Sequence, residues 1–151
     1  MIDKEYWPFR EEWLIYVKNS WKGLGRVEKV SDDSVERLMF QKKARESFEA
    51  RGILCVQVKT YLNIQTPMDV EGYAEGYPHT HEPKDAVTLV HYLDPGDKPA
   101  PLDIFDGDEI IETIYPEAGL TVFMPHSVKH GVRNNRGKHN RIALIATALA
   151  R

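Results

Sequence analysis

The sequence predicts a mainly β protein, an antiparallel sandwich or jelly roll with two N-terminal helices packed outside it. Three observations carry that expectation. From Gly52 onward, short runs rich in β-branched and aromatic residues alternate with turn chemistry. Asp106-Gly107 stands between two of those runs as a type I′ hairpin signal. No helical periodicity interrupts the series, so about seven or eight strands follow one another directly, the pattern of a two-sheet β architecture.

In chain order, residues 5 to 21 place Tyr6, Trp7, Phe9, Trp13, Leu14, Tyr16, Val17 and Trp21 among charges at roughly helical spacing. That spacing predicts an amphipathic helix, broken near Pro8, whose tryptophans plug one face of the main body. Ser31-Asp32-Asp33-Ser34 then offers N-cap residues before Val35, Leu38, Met39 and Phe48, and Gly52 stands where a C-cap glycine belongs. A second helix is expected over about 33 to 50. The predicted strands include 53 to 61, 86 to 93, 102 to 105, 109 to 115, 119 to 124 and 142 to 149. Asp94-Pro95-Gly96-Asp97, Pro116-Glu117-Ala118-Gly119 and Asn134-Asn135-Arg136-Gly137 mark turns between them. One domain is expected over 1–151, with a helical part at 1–50 and a β core at 52–149.

Composition narrows the class of function. The chain has 151 residues, 42% hydrophobic and 28% charged, as an ordinary globular protein does. Its formal charge of -3 argues against a nucleic-acid partner bound through its phosphates. Met1-Ile2-Asp3-Lys4-Glu5 lacks the features of a signal peptide, and no run of about 18 apolar residues occurs, so neither export nor a membrane span is expected and a cytoplasmic location is. Cys55, alone in an apolar run, is expected to be a buried, inert thiol. Homo-oligomerisation stays open.

The six histidines all lie between positions 79 and 139. His79 and His81 stand two apart in Gly76-Tyr77-Pro78-His79-Thr80-His81-Glu82-Pro83, and an extended segment there turns both imidazoles to one side. Their roots are then about 7 Å apart, close enough to converge on one ion at roughly 2.0 to 2.2 Å. His-x-His by itself is a weak motif.

Greater specificity comes from Tyr115-Pro116-Glu117-Ala118-Gly119-Leu120-Thr121-Val122-Phe123-Met124-Pro125-His126-Ser127-Val128-Lys129-His130-Gly131-Val132. This segment resembles the second half of the double-stranded β-helix shared by the 2-oxoglutarate/Fe(II) dioxygenases and the cupins: a Pro and Gly turn, a strand ending in Phe-x-Pro, a short loop, then His and Val. His130 matches the distal metal ligand. Arg141, eleven residues later, matches the basic residue that in the dioxygenases pairs with the far carboxylate of 2-oxoglutarate. His79-Thr80-His81 precedes Thr88-Leu89-Val90-His91-Tyr92-Leu93 much as the dioxygenase metal motif precedes a strand ending in Tyr-Leu, and Leu102-Asp103-Ile104-Phe105 resembles the strand after it. The resemblance spans residues 53 to 149. It implies a jelly-roll oxygenase with Fe(II) held by His79, His81 and His130, and with 2-oxoglutarate as co-substrate bound by Arg141. Tyr61 and Asn63 lie in the region from which these enzymes often recruit a polar partner for the co-substrate.

One departure bears on the metal. Most prolyl hydroxylase relatives have His-x-Asp where this chain has His79-Thr80-His81, giving two histidines and a carboxylate. A branch of the oxygenases with a His-x-His-Pro-like segment looks closer. Either all three histidines ligate, which is the favoured reading, or Glu82 or Asp85 supplies a carboxylate and one histidine turns away. His91 is expected to be a packed or partly exposed strand residue, His126 is a candidate for supporting the site from behind a ligand, and His139 is expected in solvent. The resemblance implies hydroxylation of a small-molecule or peptidyl substrate coupled to oxidative decarboxylation of 2-oxoglutarate, with no residue needed as a general base. Two rivals stay open: a cupin-like metalloprotein that does not use 2-oxoglutarate, and a jelly-roll binding or assembly module with a degenerate site.

Overall fold

Alternation of side chains along the strands sorts the chain into three layers: two helices, a six-stranded sheet and a three-stranded sheet. The computed structural model describes residues 2–98 and 100–150. The strands are β1 (Asp3–Tyr6), β2 (Val27–Val30), β3 (Cys55–Gln65), β4 (Asp85–Asp94), β5 (Leu102–Asp106), β6 (Glu109–Ile114), β7 (Leu120–Pro125), β8 (Lys129–Val132) and β9 (Arg141–Ala150). The helices are α1 (Glu11–Ser20) and α2 (Val35–Ala50). The larger sheet has the order β1-β7-β4-β9-β3-β2 and the smaller β6-β5-β8. All of these pairings are antiparallel. This is the mainly β jelly roll that the sequence predicts.

The central strands of the larger sheet are buried on both faces. Val58, Leu62 and Ile64 of β3, Leu89 and Leu93 of β4, and Ile142, Leu144, Ala146 and Ala148 of β9 pack with Trp7, Trp13, Phe40 and Phe48 under the helices. Val90, Tyr92, Val122, Met124 and Ala143 face the smaller sheet and meet its Leu102, Ile104 and Ile114. The two-residue period of an extended strand makes this division automatic.

The N-terminal segment differs from the single broken helix expected over 5 to 21. Residues Asp3–Tyr6 pair with β7 from Phe123 to Leu120, and the helix starts only after Pro8, at Glu11. Proline lacks the N–H a helix interior needs, and an open sheet edge beside it supplies a ladder for the residues before it. Arg51, just past α2, anchors this strand by ion pairs with Asp3 and Glu5. Trp7 and Trp13 do plug the helical side.

In α2 the Ser34 hydroxyl accepts a hydrogen bond from Arg37 N, and Gly52 follows the helix with φ +77°. The buried face is Phe40, Ala44 and Phe48, at a spacing of four. Val35, Leu38 and Met39 are exposed. Strands β2 and β8 are additions: four residues each, and in β2 two adjacent charges separate the valines and mask its period. Cys55 is half-buried, with the Arg45 guanidinium 3.6 Å from its sulfur.

Gly119, in the turn just before β7, stands where the chain makes a close approach. Its N–H donates to the Tyr92 carbonyl at 2.9 Å and its carbonyl accepts from Trp7 N at 2.9 Å. With φ +89°, a Cβ there would collide with the Trp7 carbonyl. Gly119→Ala is therefore expected to lower stability by roughly 2 kcal/mol. Gly107→Ala, also at positive φ but with open space around it, should lose less in the same urea titration.

His91 lies fully buried among Trp7, Trp13 and Phe40, at ring distances of 4.8, 5.5 and 6.3 Å. The Thr121 hydroxyl donates to the Gly119 carbonyl, so His91 Nδ1–H donates to Thr121 Oγ1 at 2.9 Å and Nε2 is left without a partner. Burial, helped by the nearby Lys43 charge, pushes its pKa down to about 4. The unfolded chain takes up a proton near 6.5 that the folded chain refuses, so His91 contributes stability above that pH which is lost as pH falls toward 4. Urea unfolding at pH 7 and pH 4.5 should show wild type losing about 2 kcal/mol more than His91→Phe over that interval. A constant difference between the two proteins would show that His91 is not buried neutral.

Candidate active site

Three histidines meet in the space between the sheets because a long connection returns alongside β8. Between β3 and β4, Ala74 N donates to the Val132 carbonyl at 2.7 Å, His79 and His130 exchange both backbone hydrogen bonds at 2.8 and 2.9 Å, and His81 N donates to the His126 carbonyl at 2.9 Å. His79 and His130 are thus a directly opposed antiparallel pair. A buried carboxylate secures this stretch: Asp103 accepts from Tyr73 Oη at 2.8 Å, from Thr113 Oγ1 at 2.8 Å and from Arg133 Nε at 2.7 Å. Burial alone would raise the Asp103 pKa, but these partners, Arg133 foremost, hold it below the ordinary value.

The ring centroids of the three histidines lie 5.4, 4.6 and 4.8 Å apart. One ligand atom from each falls within 4.8 Å of the others, the one such group among the described residues. His130 Nδ1 sits 2.9 Å from the Val128 carbonyl, which only accepts, so the proton is on Nδ1 and Nε2 keeps its lone pair. His81 Nδ1 is 3.1 Å from the Thr88 hydroxyl, itself 3.4 Å from that of Thr147. His79 Nδ1 is buried with no partner. Burial lowers the pKa of all three, and of His130 to about 4. At neutral pH they are therefore free bases, the form that binds a metal. Three neutral imidazoles with anchored Nδ1 atoms on two of them, and an orphaned nitrogen on the third, fit a divalent ion.

The histidines open onto a cavity of about 240 Å³. Tyr61 and Asn63 of β3, Thr88, Val90 and Tyr92 of β4, and Arg141, Ile145 and Thr147 of β9 line it, all on one face of the larger sheet by the two-residue period. Arg141, 2% exposed, donates from Nε to Gln65 Oε1 at 2.7 Å and from Nη2 to Asn63 Oδ1 at 3.1 Å. Its guanidinium carbon stands 5.3 Å from the centre of the Tyr92 ring. Both hydrogen-bonding partners are neutral, and burial holds the Arg141 pKa below its ordinary value.

The structure places His79, His81 and His130 in one cluster and Arg141, Tyr61 and Asn63 along the cavity it opens onto. Asn63 orients Arg141 instead of standing free. Glu82, the alternative carboxylate, is ion-paired with Lys84 at 3.2 Å, while Asp85 lines the cavity outside the cluster of three. His126 supports the site through its backbone carbonyl, and His139 is exposed. Gln65, Thr88 and Thr147 were not anticipated, although the period that joins Tyr61 to Asn63 reaches Gln65 next. Arg26 was missed as well: it precedes a four-residue strand in a Gly-rich link, where no pattern marks it.

The sequence matches no protein-family model and no curated protein. Solved structures are similar. A Pseudomonas putida prolyl 4-hydroxylase superposes with a TM-score of 0.74 at 12% identity, over 99% of this chain and 92% of that one. A viral collagen prolyl hydroxylase from Paramecium bursaria Chlorella virus-1 gives 0.67 at 16% identity, over 99% and 90%. HygX from Streptomyces hygroscopicus, solved with nickel and 2-oxoglutarate bound, gives 0.63 at 11% identity, over 93% and 76%. At these identities the likeness is one of fold. The chain has the fold of the prolyl 4-hydroxylases and of HygX, and carries a three-histidine cluster inside it.

Because each imidazole is one of few donors, His79→Ala and His130→Ala are each expected to abolish the rise in melting temperature that Ni(II) or Zn(II) gives the wild type. His81→Asp should keep it, since a carboxylate oxygen can replace the imidazole nitrogen. An undiminished rise in His130→Ala would remove His130 from the cluster.

Proposed function

We propose that this protein is a non-haem Fe(II)- and 2-oxoglutarate-dependent oxygenase that hydroxylates a small-molecule or peptidyl substrate. The observation that carries this reading is Arg141, a buried guanidinium whose protein partners are neutral, in the same cavity as three clustered imidazoles. A buried charge without a counter-charge is costly, so the site is built for an anion. A 2-oxo dicarboxylate meets both features, with its chelating end toward the histidines and its far carboxylate on the arginine fork. The fold shared with HygX, solved with 2-oxoglutarate, supports it.

With Fe(II) bound, the pair of metal and co-substrate supplies oxidative decarboxylation of 2-oxoglutarate to succinate and carbon dioxide, coupled to oxygen insertion into a substrate C–H bond. The chain's residues position and shield. His79, His81 and His130 would hold the ion, with Val128 and Thr88 fixing two of the rings. Gln65 and Asn63 aim Arg141, and Tyr92 lies under it. Val90, Leu102, Met124, Val132 and Ile145 make most of the remaining wall apolar, which strengthens the charge pairing inside by excluding water. The all-imidazole donor set favours a second reading, a cupin-like metalloprotein that has no use for 2-oxoglutarate. Such a protein has no need of a cation at Arg141.

Arg141→Ala separates the two. Removing a buried partner from a dicarboxylate costs about 2 to 5 kcal/mol, roughly 30-fold to several thousand-fold in affinity. Calorimetric titration of the metal-loaded protein should show that loss for 2-oxoglutarate, little change for a monocarboxylic 2-oxo acid, unchanged metal binding, and partial rescue by Arg141→Lys. Equal 2-oxoglutarate affinity in wild type and Arg141→Ala would leave the cupin-like reading ahead.

A further inference from the structure

The cavity holds a second guanidinium that the oxygenase reading does not use. Arg26, at the entry to β2, lines it together with Glu75 from the connection between β3 and β4, and the two side chains are ion-paired. They mark the open side: 24% of the Arg26 side chain and 37% of the Glu75 side chain are exposed, whereas Arg141 is 2% exposed. A cavity of about 240 Å³ has room for one small dicarboxylate between the histidines and Arg141. A substrate must present its reacting carbon from the open side, past Arg26 and Glu75.

Burial and the charge of Arg141 push the Arg26 pKa down to about 10, which leaves it cationic at neutral pH. Part of each side chain reaches solvent, so a ligand entering from that side can exchange with either partner of the pair. The exchange balances for one kind of ligand. A carboxylate alone would satisfy Arg26 and strand Glu75, in a cavity that already contains Asp85. An ammonium alone would satisfy Glu75 and leave Arg26 facing Arg141. A ligand that carries both groups close together makes two ion pairs where one stood.

Resting on the oxygenase reading, we propose that Arg26 and Glu75 are the substrate-recognition pair of this site and that the substrate is a free α-amino acid, its carboxylate on Arg26 and its ammonium on Glu75.

The test uses the full chain loaded with Ni(II) and saturated with 2-oxoglutarate. The common L-amino acids are presented in free, N-acetyl and carboxamide forms, first by thermal shift and then by calorimetry. At least one free amino acid should raise the melting temperature, and its two blocked forms should bind roughly tenfold more weakly or not at all. Arg26→Gln and Glu75→Gln should each weaken the free amino acid by roughly tenfold, Arg26→Lys should retain part of the affinity, and 2-oxoglutarate binding should be unchanged in all three. Three results would overturn the proposal: no free amino acid binds; either blocked form binds as well as the free one; or Arg26→Gln weakens 2-oxoglutarate as much as it weakens the amino acid, which would make Arg26 a second co-substrate clamp. Failure of the oxygenase reading shows differently, as 2-oxoglutarate failing to bind the metal-loaded wild type, and it would remove this proposal too.

Discussion

Each of the three central strands, β3, β4 and β9, has to satisfy two surroundings at once, because helices cover one face of the larger sheet and the smaller sheet covers the other. The period of two residues is the constraint on which everything else rests. Along β9, Ile142, Leu144, Ala146 and Ala148 go to the helices, so Arg141, Ile145 and Thr147 have no choice but the cavity. Along β3, Leu62 and Ile64 fix Tyr61, Asn63 and Gln65 on the opposite face. Register then completes the arrangement. Gln65 stands opposite Arg141 and Asn63 opposite Ala143, which sets both neutral acceptors beside the guanidinium. A slip of one residue would exchange the core face for the site face along the whole strand.

The same constraint decides how much of the molecule can be read from its sequence. Apart from β8, the later strands, the Asp106-Gly107 hairpin and a cap within Ser31 to Ser34 announce themselves through local chemistry and appear close to where that chemistry points. His79, His81, His130 and Arg141 were legible because they stand in a segment that resembles a known pattern. Features that depend on distant partners were not. Asp3–Tyr6 looks like the start of a helix until the edge of β7 is placed beside it. Val35, Leu38 and Met39 have the composition of a core face, but the face that meets the sheet is set by Phe40, Ala44 and Phe48. Glu75 lies in a connection without periodicity and reaches Arg26 only because that connection is pinned along β8 through Tyr73 and Asp103.

The balance of charge ties the ligand set to the ligand. In the common arrangement of two histidines and a carboxylate, the protein itself offsets part of the metal's charge. Here the cluster is three neutral imidazoles, kept neutral by burial. On the proposed reading, an ion held this way keeps its full double charge and Arg141 adds a further cation, while Arg26 is offset by its ion pair with Glu75 and Asp85 is the other acidic residue lining the small cavity. The surplus is positive, and much of it lies in surroundings of low dielectric where it is poorly screened. A dianionic co-substrate that spans the distance from metal to arginine relieves both ends of that surplus together. A neutral or cationic ligand relieves neither. Exchanging a carboxylate ligand for His81 therefore raises the demand for an anion in the cavity, and the unpaired guanidinium of Arg141 and the third histidine are two parts of one electrostatic design.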